Sequence, residues 1–218
     1  MKVTVTESRP ITSLSVSPSN VSLSIGETLR LTSSVSPSNT TDSKTLSYKS
    51  SNTSVATVST SGLIVAKNTG TATITVTTSN GISKKVTVTV KKPTSITYQT
   101  HVQQKGWLST VSNGATSGTT GSGLRMETLK ISLTNQEYDG DIEYRSHIQR
   151  QGWESTWKKN GENSGTTGKS LRLEAVQIRL TGEMAEHYDI YYRVHSQRFG
   201  LLDWAKNGEK DGTEGFLY

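Results

Sequence analysis

Apolar and polar residues alternate with a period of two along the first part of the chain. The alternating segments are short, and turn signals such as Ser17-Pro18-Ser19-Asn20 and Ser79-Asn80-Gly81 separate them. About seven strands of this kind, with turns at regular intervals, predict a β-sandwich. The alternating positions are Leu14/Val16, Val21/Leu23/Ile25, Leu29/Leu31, Val55/Val58, Leu63/Val65, Ala72/Ile74/Val76 and Val86/Val88/Val90.

The second part of the chain contains one segment three times. Its pattern is Tyr-x-x-His-x-Gln, and its histidines are His101, His147 and His195, separated by 46 and 48 residues. A fixed period of this length is typical of repeat architectures, in which each unit buries its apolar face against its neighbours. The unit of function is therefore expected to be the repeat.

Each repeat continues with an Asn-Gly pair and a Gly-x-x-Gly loop. Asn-Gly between apolar segments is a strong hairpin signal, because both residues tolerate positive φ. Three small all-β units predict a pseudo-threefold β-prism or a β-trefoil-like domain, with an open row of repeats as the alternative. The glycines that open the Gly-x-x-Gly loops are Gly118, Gly165 and Gly212.

The strand that closes each of the first two repeats shows a change of phase. Leu124 and Met126 share one face, whereas Leu129, Ile131 and Leu133 share the other. This shift predicts a β-bulge near Glu127-Thr128, and near Glu174-Ala175 in the second repeat. Arg125/Glu127 and Arg172/Glu174 then lie two residues apart on one face, which favours structural ion pairs over the two unlike carboxylates that a glycosidase needs.

The two ends of the chain suggest a piece of a longer architecture. Residues 2–6 echo residues 85–90, as if residues 1–9 were the remnant of a preceding domain or a linker. The third repeat stops at Phe216-Leu217-Tyr218, whereas the first two repeats continue into a closing strand. We therefore expect a sandwich at 10–92 and three β repeats over 96–218, at 96–138, 142–182 and 190–218, the last incomplete.

Charge separates the two parts of the chain. Residues 1–93 carry ten Lys and Arg residues and three Asp and Glu residues. Residues 94–218 carry fourteen Lys and Arg residues and fifteen Asp and Glu residues, and they contain all four Trp. Nucleic-acid binding requires cations and stacking aromatics in one groove, so this distribution argues against it.

The chain has no Cys and no apolar run long enough for a membrane span. We expect no cofactor, no metal, no enzymatic activity and no membrane insertion.

The tryptophans occupy two positions in the repeat. The first position holds Trp107, Trp153 and Leu201, and this exchange of apolar residues favours packing in a core. The second position, aligned from the Asn-Gly pair, holds Thr110, Trp157 and Trp204. Because Thr is polar, this position is equally compatible with a core and with a surface that stacks on a sugar or contacts a partner. All four tryptophans are candidate ligand contacts.

The histidine and glutamine of each repeat are the other candidate ligand contacts. Strand alternation places each pair on one face, opposite Tyr98/Thr100/Val102 and their equivalents. No carboxylate lies beside the histidines in sequence to orient them, so hydrogen bonding within the repeat is favoured, glycan contact is second, and metal or acid/base chemistry is the least favoured. The pairs are His101 with Gln103, His147 with Gln149 and His195 with Gln197.

The first part of the chain resembles the group 2 bacterial immunoglobulin-like domain. The matching stretches include Ile25-Gly26-Glu27-Thr28-Leu29, Ser61-Gly62-Leu63-Ile64-Val65 and Gly70-Thr71-Ala72-Thr73-Ile74. The family usually has Trp where Tyr48 stands, a core substitution that should not disturb the fold. The resemblance implies an extracellular spacer or adhesive module without catalysis.

The repeats resemble the clostridial hydrophobic repeat. The resemblance rests on Gly106-Trp107, on Gly152-Trp153 with Trp157, and on the Asn-Gly and Gly-Thr-Thr-Gly motifs. It implies a Gram-positive surface protein or a phage protein with a role in binding carbohydrate or a cell surface. We expect a non-catalytic extracellular adhesion module that recognises a cell-surface glycan or wall polymer, with possible oligomerisation through the repeats. The alternatives are the targeting region of a wall hydrolase or phage lysin, and a structural virion or tail protein.

Overall fold

The computed structural model describes residues 1 and 7–215, and the chain forms two compact units, Met1–Pro93 and Thr94–Tyr218. The expectations for residues 2–6 and for Phe216-Leu217-Tyr218 concern residues outside this described part. Both units are built from strands, as the sequence predicts, and one short helix is described in the second unit.

Three sheets form the first unit, with the strand orders β1-β4, β2-β9-β8-β5 and β3-β7-β6. Strands β2 and β9 are parallel, and the other pairs are antiparallel. The strands are β1 (Ser13–Ser17), β2 (Asn20–Ser24), β3 (Thr28–Arg30), β4 (Thr32–Ser36), β5 (Ser47–Ser50), β6 (Ala56–Val58), β7 (Leu63–Ala66), β8 (Gly70–Thr77) and β9 (Ser83–Lys91).

The core of the first unit follows the alternation of the sequence in most strands. Ile74 of β8 pairs with Val86 of β9, Ala72 pairs with Val88, and all four are buried. Strand β7 has the opposite phase from the one expected, because Ile64 and Ala66, not Leu63 and Val65, point into the core. Both alternating sets of β7 are apolar, so the sequence pattern could not distinguish its two faces.

Tyr48 occupies the position where the related family usually has Trp. Its ring packs against the core, its hydroxyl lies 3.4 Å from Ser33 Oγ, and its ring edge lies against Gly62. A Cβ on Gly62 would lie 3.2 Å from the ring, so the small residue leaves room for the aromatic side chain. The substitution is accommodated within the sandwich.

The second unit contains three hairpin repeats. In each, a first strand pairs with two short strands that follow the Tyr-x-x-His segment, and in the first two repeats it also pairs with a long closing strand. The elements are β10 (Ser95–Val102), β11 (Gly106–Trp107), β12 (Val111–Ser112), β13 (Met126–Thr134), β14 (Ile142–Ile148), β15 (Gly152–Trp153), β16 (Lys158–Lys159), β17 (Ser164–Gly165), β18 (Leu173–Leu180), α1 (Glu183–His187), β19 (Tyr191–Tyr192), β20 (His195–Ser196), β21 (Gly200–Leu201), β22 (Ala205–Lys206) and β23 (Lys210–Gly212).

Neighbouring repeats share their sheets. Strand β17 of the second repeat pairs with β13, the closing strand of the first, and β23 of the third repeat pairs in the same way with β18. Two further backbone bonds fix the first junction: Gly161 N–H donates to the Ile131 carbonyl (2.7 Å), and Thr166 N–H donates to the Glu127 carbonyl (2.9 Å). The second junction has the equivalent bonds at the same two distances. Each closing strand therefore belongs to two repeats.

One apolar core serves all three repeats. Tyr144 and Ile142 of the second repeat are fully buried, and they pack with Ile131 of the first repeat and Tyr192 of the third. The Tyr144 hydroxyl donates to the Glu162 carbonyl at 2.5 Å, which satisfies the polar end of the buried ring. Burial raises the pKa of Tyr144. The repeats thus bury their apolar faces against one another, as their period predicts.

Gly165 and Gly212 are required by the junctions between repeats. A Cβ on Gly165 would lie 2.4 Å from the carbonyl oxygen of Glu127, and one on Gly212 would lie 2.3 Å from that of Glu174. Both residues have positive φ, +110° and +132°. Their counterpart Gly118 has a similar φ of +116°, but a Cβ there would meet only the end of the Met126 side chain, at 3.4 Å.

We predict that Gly165→Ala destabilises the second unit more than Gly118→Ala does. Gly118→Ala should cost about 1 kcal/mol through backbone strain alone. Gly165→Ala adds a collision with the neighbouring strand and should cost about 2 kcal/mol more. Urea unfolding of the two variants measures the difference, and equal losses would show that the junction does not need a glycine.

We also predict that residues 10–92 fold when they are expressed alone, because the apolar core of the first unit is formed by its own strands. Circular dichroism should record one cooperative thermal transition. A fragment without cooperative unfolding would place the domain boundary elsewhere.

Candidate functional site

The outer face of the first two repeats carries a histidine that contacts a tryptophan. His101 lies opposite Trp107 in the β10-β11 register, with the ring centroids 5.5 Å apart in an edge-to-face arrangement. His147 and Trp153 repeat this geometry at the same distance. The alternation of the strand therefore places the histidines opposite the buried tyrosine face, as predicted.

A carboxylate from the closing strand completes the first two of these clusters. Nδ1 of His101 lies 3.2 Å from Glu127 Oε2, and Nδ1 of His147 lies 3.1 Å from Glu174 Oε2. Arginine occupies the other oxygen of each carboxylate, at 2.9 Å for Arg125 and 2.6 Å for Arg172. The predicted ion pairs are confirmed.

The carboxylates reach the histidines because the closing strands bulge. His101 pairs with Thr128 and Val102 pairs with Met126, so Glu127 is the extra residue between them. Glu174 is the extra residue in the second repeat. The bulges are located where the change of phase predicts them. The expectation that no carboxylate orients the histidines is wrong, because the acid comes from a strand that is distant in sequence.

The first tryptophan position lies outside the buried core. Trp107 and Trp153 are half-buried on the outer face, against histidine and cationic side chains, and Leu201 is 53% exposed. The interpretation of this position as core is therefore wrong. The exchange of Trp for Leu reflects a partly exposed apolar position.

Cations cover the tryptophan rings. Lys130 Nζ lies 4.4 Å from the Trp107 ring centroid. The guanidinium carbon of Arg179 lies 4.0 Å from the Trp157 ring centroid, and that of Arg193 lies 4.6 Å from the Trp204 ring centroid. Trp157 is half-buried and Trp204 is 57% exposed. The second tryptophan position thus belongs to the surface, while Thr110 in the first repeat is exposed.

The glutamines occupy a different place from the first two histidines. Gln103 and Gln149 lie just beyond the ends of β10 and β14, and they line a cleft of about 810 Å³ together with Gln197 and His195. Side chains from all three repeats form this cleft. His101 and His147 are instead turned onto their glutamates. The structure therefore brings one of the three histidines together with the glutamines.

An acid replaces a serine at one repeat junction. Asp211 is buried at the position of Ser117 and Ser164, and its Oδ2 accepts a hydrogen bond of 2.5 Å from Val194 N–H. Burial raises the pKa of Asp211, although backbone hydrogen bonds act in the opposite direction. A raised pKa in the folded state means that the stability from this group is present at low pH and is lost as the pH rises through the folded pKa.

Two family models match the chain. Residues 10–90 match the bacterial Ig-like domain (group 2), and residues 101–135 and 147–182 match the Clostridial hydrophobic W repeat. The chain therefore carries a group 2 immunoglobulin-like domain followed by clostridial hydrophobic W repeats. The third repeat lies outside these matches but keeps the local register, since His195 pairs with Leu201 as His147 pairs with Trp153.

The chain is similar to a solved structure, that of domains 5-6 of the S-layer protein SbsC, with 16% sequence identity and a TM-score of 0.34. The comparison covers 95% of this chain and 100% of that one. The similarity is too weak to define the fold. No curated protein matches the chain.

The two families indicate the setting of the chain at a coarse level. Both are non-catalytic types of domain, and together they indicate a module associated with the bacterial surface or cell wall. Among the described residues, no helix is long and apolar enough to cross a membrane.

We predict that Tyr144→Ala is more destabilising than Trp153→Ala, although both remove an aromatic ring from the second repeat. Tyr144 is fully buried, so its loss should cost about 4 kcal/mol, as for other core aromatics. Trp153 is half-buried on the outer face and should cost about 1 to 2 kcal/mol. Denaturant unfolding distinguishes the two, and equal losses would place Trp153 in the core after all.

Proposed function

We propose that the repeats bind an anionic, hydroxyl-rich polymer of the bacterial cell wall, with the immunoglobulin-like domain as a spacer. The observation that carries this proposal is the repeated contact between a tryptophan ring and a cation on the outer face of every repeat: Lys130 with Trp107, Arg179 with Trp157, and Arg193 with Trp204.

This arrangement suits a glycan that bears negative charge. An aromatic ring stacks on the apolar face of a sugar, and an adjacent cation can pair with phosphate or carboxylate groups of the same polymer. Arg179 is already paired with Glu143, at 2.6 Å. Lys130 and Arg193 have no ion pair with a carboxylate within residues 7–215. Their charges are available for an anionic ligand.

Repetition compensates for weak individual sites. A wall polymer presents the same chemical group many times, so several modest contacts on one chain can act together and increase the overall affinity. The first unit carries ten basic residues and three acidic ones, so its field also attracts a polyanion to the surface.

The clusters on the outer face favour binding over catalysis. Glu127 and Glu174 are almost fully buried, and an arginine and a histidine engage each of them. A carboxylate held by two partners in this way acts as a structural hydrogen-bond acceptor. The proposal therefore assigns the repeats no catalytic step.

We predict that Trp204→Ala weakens binding to purified Gram-positive cell walls about tenfold, equivalent to ~1.4 kcal/mol, without a comparable loss of stability. Trp157→Ala should act in the same direction. The matched control is Ile25→Ala, which removes an exposed apolar side chain from the first unit. Binding is measured by cosedimentation with walls and by unfolding of the same protein samples.

The charge of the ligand is tested separately. Walls from which the phosphate-bearing polymers have been extracted should bind less protein, and added salt should weaken binding to untreated walls. Unchanged binding by both tryptophan variants would refute the proposed surface. Binding that persists after extraction and in high salt would refute the anionic ligand.

A further inference from the structure

Arg145, on the outer face of β14, contacts two tryptophan rings at once. Its guanidinium carbon lies 5.3 Å from the Trp153 ring centroid and 4.9 Å from the Trp157 ring centroid. The side chain is half-buried, so packing restricts it while solvent still reaches it. A planar guanidinium is more weakly hydrated than an ammonium group and therefore packs well against aromatic faces. The second repeat thus holds this cation in a restricted position.

A chain of two hydrogen bonds fixes the direction of this guanidinium. Nε of Arg145 donates to Oε1 of Gln177 on β18, at 2.7 Å. Nε2 of Gln177 donates in turn to the Gly208 carbonyl, at 3.0 Å, which keeps the amide oxygen turned toward the arginine. The partner of Arg145 is a neutral amide, so this bond orients the cation without neutralising its charge.

The two terminal nitrogens of Arg145 have no protein partner in the described part of the chain. They make no hydrogen bond there, and no carboxylate forms an ion pair with this arginine. Two other arginines of the second repeat differ in this respect. Arg172 bonds to Glu174 and Arg179 bonds to Glu143, each at 2.6 Å. Arg145 is therefore an ordered cation whose charge and terminal donors are available to a ligand.

The first repeat places a cation beside the same tryptophan position from the opposite strand. Gln99 pairs with Lys130 in the register of β10 and β13. Arg145 pairs with Gln177 in the equivalent register of β14 and β18. The glutamine and the cation have therefore exchanged strands, yet Lys130 Nζ still lies 4.4 Å from the Trp107 ring centroid. A cation beside this ring is thus common to both repeats, whichever strand carries it.

A guanidinium in this setting is suited to an oxyanion. Its planar fork matches two oxygens of one phosphate or carboxylate group, and such charge-assisted pairs are stronger than neutral hydrogen bonds. Because the side chain is already ordered, it loses less conformational freedom on binding than a mobile surface lysine does. The two indole rings also exclude part of the surrounding water, which strengthens the attraction between opposite charges.

We propose that Arg145 is an oxyanion-binding site, with Gln177 as its positioning residue and the rings of Trp153 and Trp157 beside it. The ligand is a phosphate or carboxylate group, two oxygens of which accept hydrogen bonds from the terminal nitrogens of Arg145. This inference rests on the proposed binding of an anionic wall polymer, and it states where the anionic group of that polymer binds. Lys130 of the first repeat, a point charge beside one tryptophan, is the weaker counterpart.

Two small probes test the site on the full chain: glycerophosphoglycerol, a phosphodiester flanked by hydroxyl groups, and glucuronate, a carboxylate on a sugar. An NMR titration follows the Nε–Hε signal of Arg145 and the indole N–H signals of Trp153 and Trp157. At least one probe should shift these signals to saturation, and the probe that binds more tightly identifies the oxyanion. Absence of saturable shifts with both probes, or shifts of other signals only, would overturn the proposal.

Three variants separate the geometry of the site from its charge. Arg145→Lys keeps the positive charge but not the fork, and it should weaken probe binding about tenfold. Gln177→Glu supplies a carboxylate that pairs with Arg145 and should abolish the shifts. Lys169→Gln removes a charge from an exposed position of the same repeat and should leave binding unchanged. Because Gln177→Glu keeps the arginine and both rings, it preserves the test if Arg145→Lys does not fold. Unchanged binding by Gln177→Glu would exclude Arg145 as the site.

Cosedimentation with purified Gram-positive walls distinguishes this inference from the function on which it rests. Arg145→Gln should weaken wall binding about tenfold, and Lys130→Gln should weaken it less. If Trp204→Ala weakens wall binding but Arg145→Gln does not, the oxyanion site is wrong and the proposed function stands. If the probes bind at Arg145 but the walls do not bind the chain, the site stands and the proposed function is wrong.

Discussion

The second unit depends on a closing strand that two repeats share. Strand β13 pairs with β10 of its own repeat and with β17 of the next, and β18 does the same between the second and third repeats. This sharing satisfies backbone groups on both edges of the strand, which an isolated hairpin repeat could not do. It also brings the apolar faces of all three repeats into one core. Cooperation between repeats therefore comes from the backbone as well as from side-chain packing.

The bulge in each closing strand connects this backbone arrangement to the surface chemistry. The extra residue is Glu127 or Glu174, and its position lets one carboxylate contact a histidine and an arginine. Burying the carboxylate would be costly without these partners. The same histidines support Trp107 and Trp153 from the edge. The local irregularity of the strand thus orders the outer face that we propose as the binding surface.

Much of the fold could be predicted from local patterns in the sequence. The period of two, the Asn-Gly turns and the change of phase at Glu127 each depend on residues close together in the chain, and the structure contains the corresponding strands, turns and bulges. The choice between a β-prism and a β-trefoil stays a prediction. The phase of β7 was not predictable, because apolar residues occupy both of its faces.

The candidate site was less accessible to sequence reasoning because its contacts are distant in the chain. His101 and Glu127 meet only after β10 and β13 pair. The residues at the first tryptophan position are apolar, which favours a core position. The sequence does not show on which face of the two-residue strands β11 and β15 these side chains lie. One signal could have identified the acid: a glutamate located at the change of phase is a candidate for the extra residue of a bulge.

The division of the sequence into repeats does not coincide with the division of the structure into sheets. A complete sheet begins at Ser95 and ends at Gly165, beyond the start of the second repeat. A gene fragment cut between residues 138 and 142, where the sequence suggests a natural boundary, would remove a strand from the sheet that it was meant to preserve. Fragments that end after the next Gly-Thr-Thr-Gly loop retain the whole sheet. For an array built this way, recombination at the apparent repeat boundaries separates the last strand of a sheet from the rest of that sheet and does not exchange one folded unit.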